Sequence, residues 1–80
     1  MNRDEILSAV QNIFRDVFDD ENLIISDSTN ANDIEDWDSL EQINLVVAIE
    51  DLFNIEFDMD DVVNFKNVGD MINVIAKKTE

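Results

Sequence analysis

The sequence predicts an all-α fold, a four-helix bundle with a short third helix and a long loop between helices 1 and 2. Apolar residues recur at three–four spacing in separate stretches, which places them on one face of a helix. The chain has no proline and a single glycine, Gly69, so little interrupts a helix. The stretches that look like strands, Leu23-Ile24-Ile25 and Ile55 to Met59, are short, and neither has a partner strand. Eighty residues make one domain, 1–80. A chain of this size buries only about 60% of its unfolded surface.

Helix 1 is expected over about 3–18, where Ile6, Leu7, Val10, Ile13, Phe14, Val17 and Phe18 share a face. Asn2 or Arg3 starts it, and Asp4 and Glu5 suit the positive end of the helix dipole. The connection that follows, about 19–38, is longer than a small domain usually tolerates without a reason. Leu23, Ile24, Ile25, Ile34 and Trp37 are expected to pin it onto the helices. Its acids do not make an EF-hand: no candidate start has the glycine required at the sixth position. No built metal site is expected, only loose divalent binding to the clustered carboxylates.

Helix 2, over about 39–53, begins at Asp38-Ser39, with Asp38 as N-cap and Glu41 three residues later as in a capping box. That leaves the Ser39 hydroxyl exposed at the positive end of the helix, where a phosphate is well placed. Successive residues turn by about 100°, which sorts the apolar positions into two groups. Leu45, Val46, Ile49, Leu52 and Phe53 form a core face. Leu40, Ile43 and Val47 form a narrower stripe among Asn44, Glu50 and Asp51. An apolar stripe rimmed by acids has the character of a partner-docking face. Asn54 ends the helix, since it tolerates the left-handed conformation. Ile55, Phe57 and Met59 serve as apolar pins of a linker. Asp58 or Asp60 caps helix 3, over about 60–65, which turns Val62, Val63 and Phe65 inward. Asn67 caps helix 4, over about 68–78, with Val68, Met71, Ile72, Ile75 and Ala76 inside and Lys77 and Lys78 at its negative end.

The net charge is −15, and sixteen of the twenty acids lie between Asp16 and Phe65, where no basic residue occurs. Such a field attracts basic protein surfaces and repels nucleic acid and anionic lipid. The chain has no Cys and no His, hence no thiolate, no disulfide and none of the commonest general base. An independent enzyme with its own catalytic residues is not expected. Met1-Asn2-Arg3-Asp4-Glu5 has no apolar signal character, and no apolar run reaches membrane-spanning length. The expected location is the cytoplasm.

Three motifs carry a resemblance. Asp38-Ser39-Leu40 opens an amphipathic helix, Phe53-Asn54-Ile55-Glu56-Phe57 follows it, and Val68-Gly69-Asp70-Met71-Ile72 comes later. At this spacing the chain resembles an acyl carrier protein over nearly its whole length, from Ile6 to Ile75. The resemblance implies a monomeric carrier, active in lipid metabolism such as fatty acid biosynthesis, whose Ser39 bears a 4′-phosphopantetheine arm taken from coenzyme A. The arm's thiol holds acyl groups as thioesters. The implied partners are a phosphopantetheinyl transferase, which supplies its own magnesium, and acyl-activating, acyltransferase or synthase enzymes with basic docking surfaces. By position, Asp38, Leu40, Ile43, Val47, Glu50 and Asp51 match the family's docking set. The common fatty-acid-synthesis type has a glycine just ahead of the Asp-Ser pair, an acid in place of Asn44 and a glycine in place of Asn54. The Trp-Asp-Ser-Leu form is similar to stand-alone carriers of specialised bacterial pathways. Two alternatives stand beside the acyl carrier: an aminoacyl carrier of the D-alanyl or peptidyl kind, and a non-carrier acidic interaction domain.

Overall fold

The computed structural model describes residues 2–79; Met1 and Glu80 lie outside the described residues. Four helices follow one another: α1 Arg3–Val17, α2 Ser39–Phe53, α3 Met59–Val63 and α4 Val68–Lys78. Each long helix starts where a short polar side chain can accept an orphan backbone N–H. The Asn2 side chain accepts from Glu5 N–H, Asp38 from Glu41 N–H and Asn67 from Asp70 N–H. α2 ends on Asn54 in the left-handed conformation, φ 55° and ψ 50°.

α1 packs against both α2 and α4. Ile6, Val10, Ile13 and Phe14 of α1 meet Leu45 and Ile49 of α2 and Val68, Met71, Ile72 and Ile75 of α4. Ile25 and Ile34 of the long loop complete this core, and Leu23, Trp37, Phe53, Ile55, Phe57 and Phe65 pack against it. Among the described residues no polar or charged side chain is buried, so the acids keep their hydration.

The loop is tied down along its length. The Arg15 Nε–H donates to the Leu23 carbonyl at 2.8 Å, and the Ile25 N–H donates to Gln11 Oε1 at 3.0 Å. Further on, the N–H groups of Val68 and Gly69, at the start of α4, donate to the carbonyls of Thr29 and Asp27, each at 2.8 Å. Arg3 reaches across to Asp27, at 2.9 Å, and to Asn73. A long polar loop is thus ordered by its backbone partners as much as by its apolar pins.

Four apolar side chains expected inside lie outside. Ile24 is 78% exposed, while its neighbours Leu23 and Ile25 take the inner side. Leu52 is 57% exposed because it sits at the rim of the core arc, over a groove lined by the small Ala9 and Ala48. Met59 is 77% exposed and Val63 69%. α3 begins at Met59 and ends at Val63, earlier at both ends than expected, so Met59 is a helix residue and not a linker pin. A helix of five residues has room for one inward side, and Val62 takes it, half-buried. Phe65 lies past the helix and stacks edge-on against Phe57, with ring centroids 5.3 Å apart. α1 likewise stops one residue early, with Phe18 as its C-cap.

Candidate functional site

Ser39 is the first residue of α2, and it is exposed. The cap above it is made by Asp38, whose Oδ1 accepts the Glu41 N–H at 2.9 Å. The Ser39 hydroxyl therefore takes no part in capping. The reciprocal half of the expected capping box does not form: the Glu41 carboxylate accepts from Asn44 Nδ2 at 2.9 Å, and the Asp38 N–H bonds to the Asp36 carbonyl at 3.0 Å.

Trp37 fixes the other side of the site. Its ring meets Phe14 of α1 edge-on, with centroids 5.2 Å apart and planes at 86°. Its indole N–H donates to Gln42 Oε1 at 2.7 Å. A shallow groove runs from Ser39 between these groups, lined by Ala31, Trp37, Gln42, Ile43 and Val62. The structure thus brings together Trp37, Asp38, Ser39 and Gln42, and of these the sequence pattern did not mark Gln42. Its signal is positional: Trp37 and Gln42 occupy the two places, one before the N-cap and four after it, that commonly pack across a helix start.

The field at Ser39 has two opposed parts. The α2 N-terminus favours an anion, but Asp38 is its N-cap, Glu41 lies in its first turn and Asp36 comes just before. A free phosphate gains little in such a place. A phosphate joined covalently to the hydroxyl does not depend on that balance, and the exposed hydroxyl and open groove leave space for a long substituent. The site fits a covalently held phosphopantetheine. Among the described residues no group of three acids converges in a way that could hold a metal ion.

The second stripe of α2 is open to solvent. Leu40 is 65% exposed, Ile43 58% and Val47 50%. Asp51 stands exposed beside them. Glu50 differs: it is half-buried, and its Oε2 accepts the Phe57 N–H at 2.8 Å, which braces the linker to α3. The structure adds Met59 and Val63 to the exposed apolar residues of this region, next to the Val62 that lines the groove with Ile43. Their signal lay in the composition of α3, too short a helix to bury three apolar side chains.

The chain is similar to known proteins in sequence and in fold. A family profile for the phosphopantetheine attachment site matches residues 8–75. An acyl carrier protein of a Picosynechococcus strain is 35% identical over 75 residues, covering 94% of this chain and 93% of that protein. An acyl carrier protein of Guillardia theta is 35% identical over 79 residues, covering 98% of this chain and 96% of its own length. Among solved structures, the holo acyl carrier protein of Geobacter metallireducens superposes with a TM-score of 0.85 at 43% identity, covering 90% of this chain and 83% of that one. With the four helices and the matched profile in agreement, the chain belongs to the phosphopantetheine attachment family, among the acyl carrier proteins.

Proposed function

We propose that Ser39 is the residue to which the 4′-phosphopantetheine arm of this carrier is joined. The observation that carries this reading is a hydroxyl that is exposed, first in its helix and relieved of capping by Asp38. When bound, the arm supplies a thiol that holds acyl groups as thioesters, chemistry that a chain without Cys cannot provide itself. The residues around it present and steer. The exposed Leu40, Ile43 and Val47 offer apolar contact beside Ser39, and Asp38 and Asp51 attract basic partner surfaces. Glu50 adds to the same field while bracing the linker through Phe57.

The partners of this reading are a phosphopantetheinyl transferase and the acyl-activating, acyltransferase or synthase enzymes that load and use the carrier, in the cytoplasm. The chain itself presents cargo and does not catalyse. Trp37, Asn44 and Asn54, in places where the fatty-acid-synthesis type differs, favour a specialised lipid pathway. Incubation with coenzyme A and a promiscuous phosphopantetheinyl transferase, followed by mass spectrometry, tests the attachment. Wild type gains one arm. Ser39→Ala gains none and keeps its helices by circular dichroism. A modified Ser39→Ala protein would place the arm elsewhere.

A further inference from the structure

We infer that Trp37 and Gln42 form a polar staple that positions Ser39 for modification. Helix starts are often fixed by a contact between the residue before the N-cap and the fourth residue after it, usually between two apolar side chains, which sets the angle at which the chain joins the helix. Here Asp38 is the N-cap, Trp37 precedes it and Gln42 is the fourth helical residue. The contact is a hydrogen bond from the indole N–H to Gln42 Oε1 at 2.7 Å. Behind it the ring rests on Phe14, so the staple also joins the start of α2 to the core of α1.

Ser39 lies inside the span of this staple, and inside the shorter Asp38–Glu41 cap as well. The two clamps act on different parts. The cap holds the first turn of α2, whereas the staple holds the loop that arrives at it. That loop reaches Trp37 and Asp38 through a tight turn, with the Trp37 N–H on the Ile34 carbonyl at 3.1 Å and the Asp38 N–H on the Asp36 carbonyl at 3.0 Å. Without the staple the turn can swing about the cap and carry the Ser39 backbone with it. A small displacement of a reacting atom is costly in rate, because correct placement supplies much of the catalytic advantage.

The inference rests on Ser39 as the acceptor. In the transfer, Ser39 Oγ attacks the phosphorus of the phosphopantetheine half of coenzyme A. The new O–P bond replaces the P–O bond within the diphosphate, adenosine 3′,5′-bisphosphate leaves, and the serine proton passes to a base of the transferase. Trp37 and Gln42 are positioning residues in this step and touch none of the reacting atoms.

The test compares Gln42→Met, which keeps the length and loses the acceptor, with Gln42→Glu, which keeps an acceptor for the indole N–H. Trp37→Phe keeps the ring contact and loses the donor. Kinetics of transfer from coenzyme A are measured on the full chain, well below the melting temperature of each variant. Gln42→Met and Trp37→Phe are expected to lower kcat by about three- to tenfold, as befits one hydrogen bond of ordinary net worth, with KM for the carrier unchanged because the stripe is intact. The double variant loses no more than either single one, since both remove one interaction. Gln42→Glu restores kcat, and Trp37 fluorescence changes in Gln42→Met but not in Gln42→Glu. Wild-type kcat in Gln42→Met would overturn the staple, as would a Gln42→Glu protein as slow as Gln42→Met. Arm transfer to Ser39→Ala, run in parallel, would instead overturn the acceptor itself.

Discussion

Gly69 is the chain's single glycine, and its conformation is ordinary helix. What requires it is proximity. A Cβ at this position would lie 2.9 Å from the Asp27 carbonyl oxygen, a backbone atom that cannot turn aside. The same carbonyl accepts the Gly69 N–H at 2.8 Å, so the loop is drawn onto the helix where a side chain would stand. Gly69→Ala is therefore expected to destabilise the domain by about 1–3 kcal/mol, the usual cost of forced overpacking, although alanine is the better helix former. Chemical denaturation checks this. A variant as stable as wild type would mean that the loop shifts freely. The motif Val68-Gly69-Asp70-Met71-Ile72 marked Gly69 but not the reason for it, since the atom that excludes a Cβ belongs to Asp27, far away along the chain.

At the scale of elements, α2 is the helix with two apolar sides. Leu45 and Ile49 are fully buried, while Leu40, Ile43 and Val47 are half or more exposed. Ile43→Ser and Val47→Ser should then alter stability by no more than the roughly 0.5 kcal/mol usual at surfaces, whereas Leu45→Ala should cost about 2–5 kcal/mol through the cavity it leaves. Both serine variants should also slow arm transfer. Paired denaturation and transfer kinetics decide the matter; unfolding of Ile43→Ser as readily as Leu45→Ala would make the stripe part of the core. The two faces were legible because periodicity depends on the helix alone, and the exposed place of Ser39 at the start of α2 was legible because a cap is local chemistry. Ile24, Leu52, Met59 and Val63 were misplaced for the opposite reason. Whether a residue at the rim of an apolar arc is covered depends on its neighbour across the groove, such as Ala9 opposite Leu52, and on where a five-residue helix happens to start. Gln42 escaped notice because its partner Trp37 was read as an apolar anchor and its N–H was not followed to an acceptor.

At the scale of the molecule, no charged side chain among the described residues is buried. The domain spans only 31 × 24 × 22 Å and holds sixteen acids between Asp16 and Phe65; among the described residues, ion pairs reach that segment from Lys78 to Asp61 at 3.9 Å and from Arg3 to Asp27 at 2.9 Å. Repulsion across these distances is felt at low ionic strength and screened at about 0.15 M salt, where the Debye length is about 8 Å. The melting midpoint should rise when salt or millimolar magnesium is added to a dilute buffer. A midpoint that stays level would mean that the acids are already effectively independent.

The bonds from Thr29 and Asp27 to the first turn of α4 have a further consequence. First-turn amides of a helix ordinarily face water and trade their protons for deuterons quickly, since no preceding turn receives them. In this chain the amides of Val68 and Gly69 are sealed by loop carbonyls, so their exchange clocks the lifting of the loop, while the amides of Ile72 and Ile75, deep in the same helix, clock the opening of the whole domain. Two neighbouring pairs of protons on one helix thereby distinguish a loop that breathes on its own from one that lets go only when the core does.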